Sequence, residues 1–117
     1  MSSNSQSAIE RILNSFIDDT TLIPVITQDS KSNQVLMLAW MNRTAFQQTI
    51  ATKRATYWSR SRRSIWVKGE TSGNIQELVS LNFDCDADSI LIRVKQHGPA
   101  CHTGDVTCFH KIGRAHV

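Results

Sequence analysis

The sequence predicts an α+β fold, a single compact and β-rich domain of short strands with two helices. A length of 117 residues is typical of one domain, and 40% hydrophobic with 20% charged residues is typical of a globular protein. Most apolar runs are short, rich in β-formers and bounded by turn-like segments, and only two have helical spacing. We find no repeat and no internal linker, so we assign residues 1–117 to one domain.

Two segments are predicted to be helical. In residues 8–16 the apolar side chains recur at helical spacing, with Ser7 as a candidate N-cap, and residues 1–7 are expected to be frayed. The second helix is predicted to start around residues 41–44 and to reach about residue 52, with Asn42 as its N-cap.

Six segments read as strands: 22–27, 34–40, 55–59, 64–68, 75–83 and 90–96. The polar segments DSKSN, SRSRR and GETSGN form the turns between several of them. Residues 112–117 have no periodicity and can be written in codons that match a common sequencing adapter. We therefore expect them to be a non-native tail.

Composition excludes several classes of protein. The first residues, MSSNSQSAIERIL, do not resemble a signal peptide, and no apolar run approaches the length of a membrane span. We expect a cytoplasmic protein with no membrane partner, in which the three cysteines are ligands or nucleophiles rather than disulfides. The net charge of +3 does not by itself predict binding to nucleic acid.

The segment NFDCDADS places three aspartates at alternate positions, Asp84, Asp86 and Asp88, with Cys85 between the first two. In a strand, alternation would put the carboxylates on one face and the thiol on the other. Carboxylates suit magnesium or calcium, and a thiolate suits zinc. The alternative is a polar turn at the end of a strand.

Cys101 and Cys108 lie in the loop GPACHTGDVTC, after the last predicted strand. Together with Cys85 they would give zinc three thiolates and one open position, which is the pattern of a catalytic metal. One alternative is a closed site completed by His97, His102 or His110. The other is three unrelated free cysteines.

A basic segment lies between residues 53 and 68, and aromatic residues are interleaved with its charges. Its cations are Lys53, Arg54, Arg60, Arg62, Arg63 and Lys68, and its aromatics are Tyr57, Trp58 and Trp66. This mixture suits a nucleotide or a single-stranded nucleic acid, or a solvated hairpin whose aromatics face the core, which we favour for Trp66. The following GETSGN could cradle a phosphate, although it is not a P-loop.

The segments VLMLAWMNRTAF, YWSRSRRSIWVKGETSGNIQ, DCDAD and GPACHTGDVTCF together resemble the phosphoribosyl-AMP cyclohydrolase family over about residues 22–109. The resemblance implies a homodimer that binds a small nucleotide and not nucleic acid. It implies one magnesium per subunit on Asp84, Asp86 and Asp88. It also implies one zinc per subunit on Cys101, Cys108 and the Cys85 of the opposite subunit.

The resemblance further implies an enzyme of histidine biosynthesis, acting at its third step. Water activated by zinc would attack C6 of 1-(5-phosphoribosyl)-AMP and open the adenine ring at N1–C6, giving the formimino-carboxamide ribonucleotide. We expect His102 to shuttle protons. The substrate phosphates would be bound by Arg60, Arg62 and Lys68, and the nucleotide would be positioned by Ser72, Gly73 and Asn74.

Two other functions are weighed against this one. A zinc nucleoside deaminase would need the H-x-E and P-C-x-x-C motifs, and neither occurs. A single-strand nucleic-acid module would account for the basic segment but not for the cysteines and aspartates.

Overall fold

The computed structural model describes residues 3–114, and the side chains of residues 6–114. Within this range the chain forms two helices and six strands, as the predicted α+β class requires. The helices are α1 (Ser3–Ser15) and α2 (Arg43–Thr52). The strands are β1 (Ile23–Asp29), β2 (Val35–Met41), β3 (Thr56–Ser59), β4 (Ser64–Val67), β5 (Gln76–Phe83) and β6 (Ile90–Gln96).

Four of the strands form a mixed sheet in the order β2-β1-β6-β5. The β1–β2 and β5–β6 pairs are antiparallel, whereas β1 and β6 run parallel, with Val25 opposite Ile90. The parallel pair needs a long crossover, which α2, β3, β4 and β5 provide. The β3–β4 pair forms a separate two-stranded sheet.

The core lies between one face of the four-stranded sheet and the helices. Val25 and Ile92 are fully buried on that face. Phe16, the residue after α1, and Phe46 of α2 belong to the same core, with their ring centroids 5.7 Å apart. Tyr57 brings β3 into the same cluster. The apolar residues that the sequence spaces at helical intervals in α1 therefore form its buried side.

The helix ends agree with the sequence only in part. Asn42 caps α2 as predicted, because its Oδ1 accepts a hydrogen bond from the Ala45 amide at 2.8 Å. The start predicted for α1 was wrong, since the helix begins at Ser3 and contains Ser7 in its interior. The expected frayed segment is thus helical from residue 3 onward, because SNSQS contains no proline or glycine to stop the helix. Residues 1 and 2 lie outside the described range.

Strand boundaries fall within two residues of the predicted ones. In the expected tail, residues 112–114 are exposed and have no regular structure, and residues 115–117 lie outside the described range. Neither helix within residues 3–114 is long and apolar enough to cross a membrane.

Candidate active site

A cavity of about 530 Å³ opens where the β3–β4 hairpin meets the loops of residues 69–75 and 97–108. The hairpin contributes cations, the first loop contributes hydroxyl and amide groups, and the second loop contributes a thiol and an imidazole. Six of the predicted site residues line it: Arg62, Lys68, Ser72, Asn74, Cys101 and His102. The cavity therefore combines a side that carries a thiol and an imidazole with a side that carries cations.

The two cysteines of the second loop are held in place by backbone hydrogen bonds. The loop closes on itself, since the Cys101 amide donates to the Asp105 carbonyl at 3.1 Å and the Gly104 amide donates to the Cys101 carbonyl at 3.0 Å. The Cys108 amide donates to the Leu36 carbonyl at 2.7 Å, which anchors the far end of the loop to β2. These bonds thus fix the backbone of both cysteines, with Cys101 buried and Cys108 exposed.

Cys101 has the ionisation behaviour of a metal ligand. The Thr103 hydroxyl donates to its Sγ at 3.1 Å, and this bond, together with the Thr103 amide, lowers the pKa of Cys101 to about 6. The side chains of His110 and Cys108 lower it further, so both groups lie close to this thiol. Burial raises the pKa of Cys108. A pair of adjacent sulfurs, one of them a thiolate at neutral pH, fits zinc.

Lys68 is bound to the cysteine loop. Its Nζ donates to the Ala100 carbonyl at 2.6 Å and lies 5.1 Å from the centre of the Trp66 ring. Desolvation lowers the pKa of Lys68, and the charges of Cys108 and Cys101 oppose this effect. An ammonium group has three donors, so this lysine can hold the loop and still donate to a ligand.

The three histidines of this region have different surroundings. His102 is exposed and lines the cavity next to Cys101. His97 is directed elsewhere, with its Nε2 3.0 Å from Glu77 Oε1. His110 Nδ1 lies 3.6 Å from Asp105 Oδ2. The Thr103 hydroxyl lies 3.1 Å from the same oxygen, so its single proton is shared between this carboxylate and Cys101 Sγ. From the sequence, His110 was only one of three alternative fourth ligands for zinc. Its position two residues after Cys108 is the signal that could have singled it out.

The three aspartates lie in the turn between β5 and β6. Carboxylate oxygens of Asp84, Asp86 and Asp88 all lie within 4.8 Å of one another. Of the two alternatives for this segment, the polar turn is confirmed and the extended strand is wrong, because residues 84–89 form a turn with Ala87 at a φ of 56°. The turn places the carboxylates together because Asp84 Oδ1 accepts from the Asp88 amide at 2.9 Å.

The charges of this turn repel one another. Hydrogen bonds from the backbone and side chain of Asp88 lower the pKa of Asp84, whereas the neighbouring Asp84 raises the pKa of Asp88. All three side chains are exposed, so water and cations have access to them. Three converging carboxylates fit a hard cation such as magnesium.

Cys85 does not meet the other two cysteines within one chain. It is exposed in the aspartate turn, where its carbonyl accepts from Arg11 Nη2 at 2.5 Å. That turn precedes Ile90, which pairs with Val25 near the start of β1, whereas Cys108 binds Leu36 beside the end of β1. Within residues 3–114, the aspartate triad is the one cluster of three metal-binding side chains.

Two further predicted residues stand apart from the cavity lining. The Arg60 guanidinium lies 4.6 Å above the Trp40 ring, and Arg60 is not among the residues that line the cavity. Gly73 lies at the exposed tip of the 69–75 loop with a φ of +83°.

Trp66 packs against Tyr57 with centroids 5.6 Å apart, which agrees with the core orientation favoured for it.

The sequence of the chain matches known proteins. Residues 37–110 match the sequence profile of a family described as Phosphoribosyl-AMP cyclohydrolase. A phosphoribosyl-AMP cyclohydrolase of Dinoroseobacter shibae is 56% identical over 80% of this chain and 78% of its own length. One of Bacillus cereus is 58% identical over 76% of this chain and 88% of its own length.

A bifunctional protein of Deinococcus radiodurans, named as a histidine biosynthesis protein, is 55% identical over 80% of this chain and 43% of its own length. The matched segment contains all three cysteines, the aspartate triad and the whole cavity. This chain therefore belongs to the phosphoribosyl-AMP cyclohydrolase family.

Proposed function

We propose that this chain opens the adenine ring of 1-(5-phosphoribosyl)-AMP at the N1–C6 bond, as the third step of histidine biosynthesis. The observation that carries the proposal is the cavity in which Cys101 and His102 face Arg62 and Lys68. It provides a metal-binding and proton-transferring side for the base and a cationic side for phosphate. Family membership supplies the substrate class.

Zinc fits the cysteine loop, with Cys101 and Cys108 from one chain and Cys85 from a second copy as its ligands. When bound, zinc lowers the pKa of a coordinated water to near 7 and so makes a nucleophile available at neutral pH. The low pKa of Cys101 supports its role as a ligand, because thiolates and not thiols bind metals. One zinc and one magnesium per subunit would then be bound.

A homodimer would solve the separation of Cys85 from the other two cysteines. A two-fold axis across the sheet would bring the aspartate turn of one subunit to the cysteine loop of the other, since they occupy opposite ends of β1. The outer face of the sheet supports such a contact. Its cross-strand neighbours Ile26 and Leu38 are 38% and 51% exposed.

The remaining site residues act on the bound nucleotide. The side chains of Arg62 and Lys68 would bind phosphate, and magnesium on the aspartate triad would hold another phosphate oxygen. Arg60 lies over the Trp40 ring, and the in-plane N–H groups of a stacked guanidinium would still be available to a phosphate. The loop with Ser72, Gly73 and Asn74 would hold the base and ribose.

Proton transfer is the proposed role of His102. The oxygen of one water becomes bonded to C6, the N1–C6 bond breaks, and the two protons of the water end on N1 and on the exocyclic nitrogen of the neutral substrate. His102 is exposed in the cavity beside Cys101, where it can take a proton from water and deliver it to N1.

A spectrophotometric assay tests the proposal. The zinc-loaded chain should convert phosphoribosyl-AMP to the ring-opened carboxamide without releasing ammonia, and chelation followed by zinc addition should abolish and restore the reaction. AMP serves as the contrasting substrate. Ammonia release from AMP, with phosphoribosyl-AMP unchanged, would show a deaminase and contradict the proposal.

A further inference from the structure

Asn74 stands in the cavity wall where the 69–75 loop meets the 97–108 loop. It lines the cavity together with Cys101 and His102. Among the described residues, its carboxamide makes no hydrogen bond, so both its donor and its acceptor are available to a ligand. A carboxamide that both donates and accepts suits a base or a ribose hydroxyl better than a phosphate, which only accepts.

The backbone of Asn74 is fixed from two sides. Its amide donates to Ser72 Oγ at 3.2 Å, and its carbonyl lies 3.4 Å from Gln96 Nε2. Gly69 passes so close behind it that a Cβ added there would lie 2.3 Å from the carbonyl carbon of Asn74. Only a residue without a side chain permits this approach.

Gln96 is itself held by a chain of hydrogen bonds that leads into the core. The Tyr57 hydroxyl donates to Gln76 Oε1 at 2.6 Å, and Gln76 Nε2 donates to Gln96 Oε1 at 2.8 Å. Tyr57 and Gln76 are fully buried. A buried amide is stable only with its partners satisfied, so this chain orients Gln96 toward the Asn74 carbonyl.

The side chain of Asn74 rests on Gly98. A Cβ added at Gly98 would lie 2.2 Å from Asn74 Oδ1 and 3.0 Å from its Cγ. The φ of Gly98 is +76°, which also favours glycine. Position 98 therefore determines whether the carboxamide of Asn74 can occupy its place in the cavity.

We propose that Gly98 is a positioning residue for the reaction: because it carries no side chain, the Asn74 carboxamide can stand in the cavity and bind the base or ribose of the substrate. The proposal rests on the proposed function, since a nucleotide must occupy this cavity. It makes two separate claims, a steric one about Gly98 and Asn74 and a functional one about Asn74.

A double-mutant cycle on stability tests the steric claim. Gly98→Ala should lower the midpoint of thermal unfolding through its left-handed φ and through displacement of the Asn74 carboxamide. Adding Asn74→Ala should restore only the second and smaller part, because the atom then left nearest to the new methyl is the Asn74 Cβ at 3.7 Å. Gly69→Ala is the contrast. Its clash is with backbone atoms of Asn74 and Ile75, so Asn74→Ala should not rescue it.

Gly104→Ala controls for backbone strain alone. Its φ is +93°, and a Cβ there would meet nothing within 4 Å. Gly98→Ala should therefore be the less stable of the two. If the effects of the two substitutions on the unfolding midpoint are additive, the steric claim is overturned. It is also overturned if both Gly98→Ala and the double variant fail to fold.

Kinetics with zinc-loaded protein test the functional claim. Asn74→Ala should raise KM for phosphoribosyl-AMP about tenfold, with kcat within about twofold and zinc content unchanged. The double variant should show the KM of Asn74→Ala, because Gly98 acts through that side chain. An unchanged KM in Asn74→Ala would overturn the claim. If the native chain does not turn over phosphoribosyl-AMP, the proposed function fails instead, while the stability cycle remains interpretable.

Discussion

Cys101 is the residue on which the proposed zinc site depends most directly. Its thiol is 7% exposed, accepts a hydrogen bond from Thr103 and has a pKa of about 6. Cys101→Ser should abolish turnover and lower bound zinc, because a hydroxyl is a poor substitute for a soft thiolate. Metal analysis and the ring-opening assay measure both effects. Near-normal activity with full zinc would remove Cys101 from the site.

His102 should behave differently from the cysteines. If it transfers protons in the transition state, His102→Ala should lower kcat about 100-fold or more while KM and zinc content change little. His97→Ala is the matched control, because that imidazole pairs with Glu77 and does not line the cavity. Loss of zinc from the His102 variant, with kcat per bound zinc preserved, would contradict a proton-transfer role.

For single residues, the sequence predicts which side chains belong to the site better than it predicts what those side chains contact. Of the candidate site residues, Cys101, His102 and the cations Arg62 and Lys68 do converge on one cavity, whereas Cys85 and Cys108 are not among the residues that line it. The Thr103 hydroxyl that polarises Cys101 and the place of Gly98 against Asn74 could not be predicted, because each depends on a distance of a few ångströms between side chains or loops. Arg60 was grouped with Arg62 by sequence, but only Arg62 lines the cavity.

Among the structural elements, the turn between β5 and β6 is the one on which the predicted magnesium site depends. Asp86 makes no hydrogen bond among the described residues, whereas Asp84 holds the turn through the Asp88 amide. Asp86→Asn should therefore leave the turn intact and raise the magnesium concentration needed for activity about tenfold, with zinc content unchanged. Activity measured against magnesium tests this, with exposed Asp19→Asn as the control. Joint loss of both metals would show that the two sites are not independent.

The same turn shows why alternation was the wrong pattern here. Carboxylates at i, i+2 and i+4 share a face in a strand, but they can also converge in a tight turn. Asp and Ser favour the turn because their side chains bond to nearby amides, and Ala87 adopts a left-handed φ within it. Of the two alternatives that the sequence left open for this segment, the fold shows the polar turn and not the strand.

Helix α1 is held to the domain by a cation at its C-terminal end. Arg43 Nη2 donates to the carbonyl of Leu13, which also accepts from the Phe16 amide at 3.1 Å, and to the carbonyl of Phe16, the residue after the helix. Arg43→Met should lower the free energy of unfolding by about 1–3 kcal/mol, since it removes charge-assisted bonds and a favourable charge at a helix C-terminus. Urea unfolding measures this. Arg54→Met, at an exposed arginine after the C-terminal end of α2, should change it little, and equal losses would count against the cap.

For the whole molecule, the separation of the cysteines has the largest consequence. One chain presents Cys101 and Cys108 at one end of the sheet and Cys85 at the other. No side-chain rearrangement spans that separation, because strands of the sheet lie between the two ends. The predicted strand 90–96 already separates the aspartate segment from the cysteine loop along the chain. The parallel pairing of β1 with β6 and the bond from Cys108 to Leu36 add where the two lie relative to β1 and β2, which the sequence could not show.

Mixed dimers test whether each zinc site is shared between subunits. Cys85→Ser and Cys101→Ser chains should each be inactive alone. In a mixed dimer, one site receives both substitutions and the other receives none. Random exchange makes half of the dimers mixed, so activity should return to about a quarter of the native value. Two Cys101→Ser preparations, mixed in the same way, are the control and should stay inactive. If mass spectrometry shows mixed dimers and no activity returns, the three cysteines do not form one site across the two-fold axis.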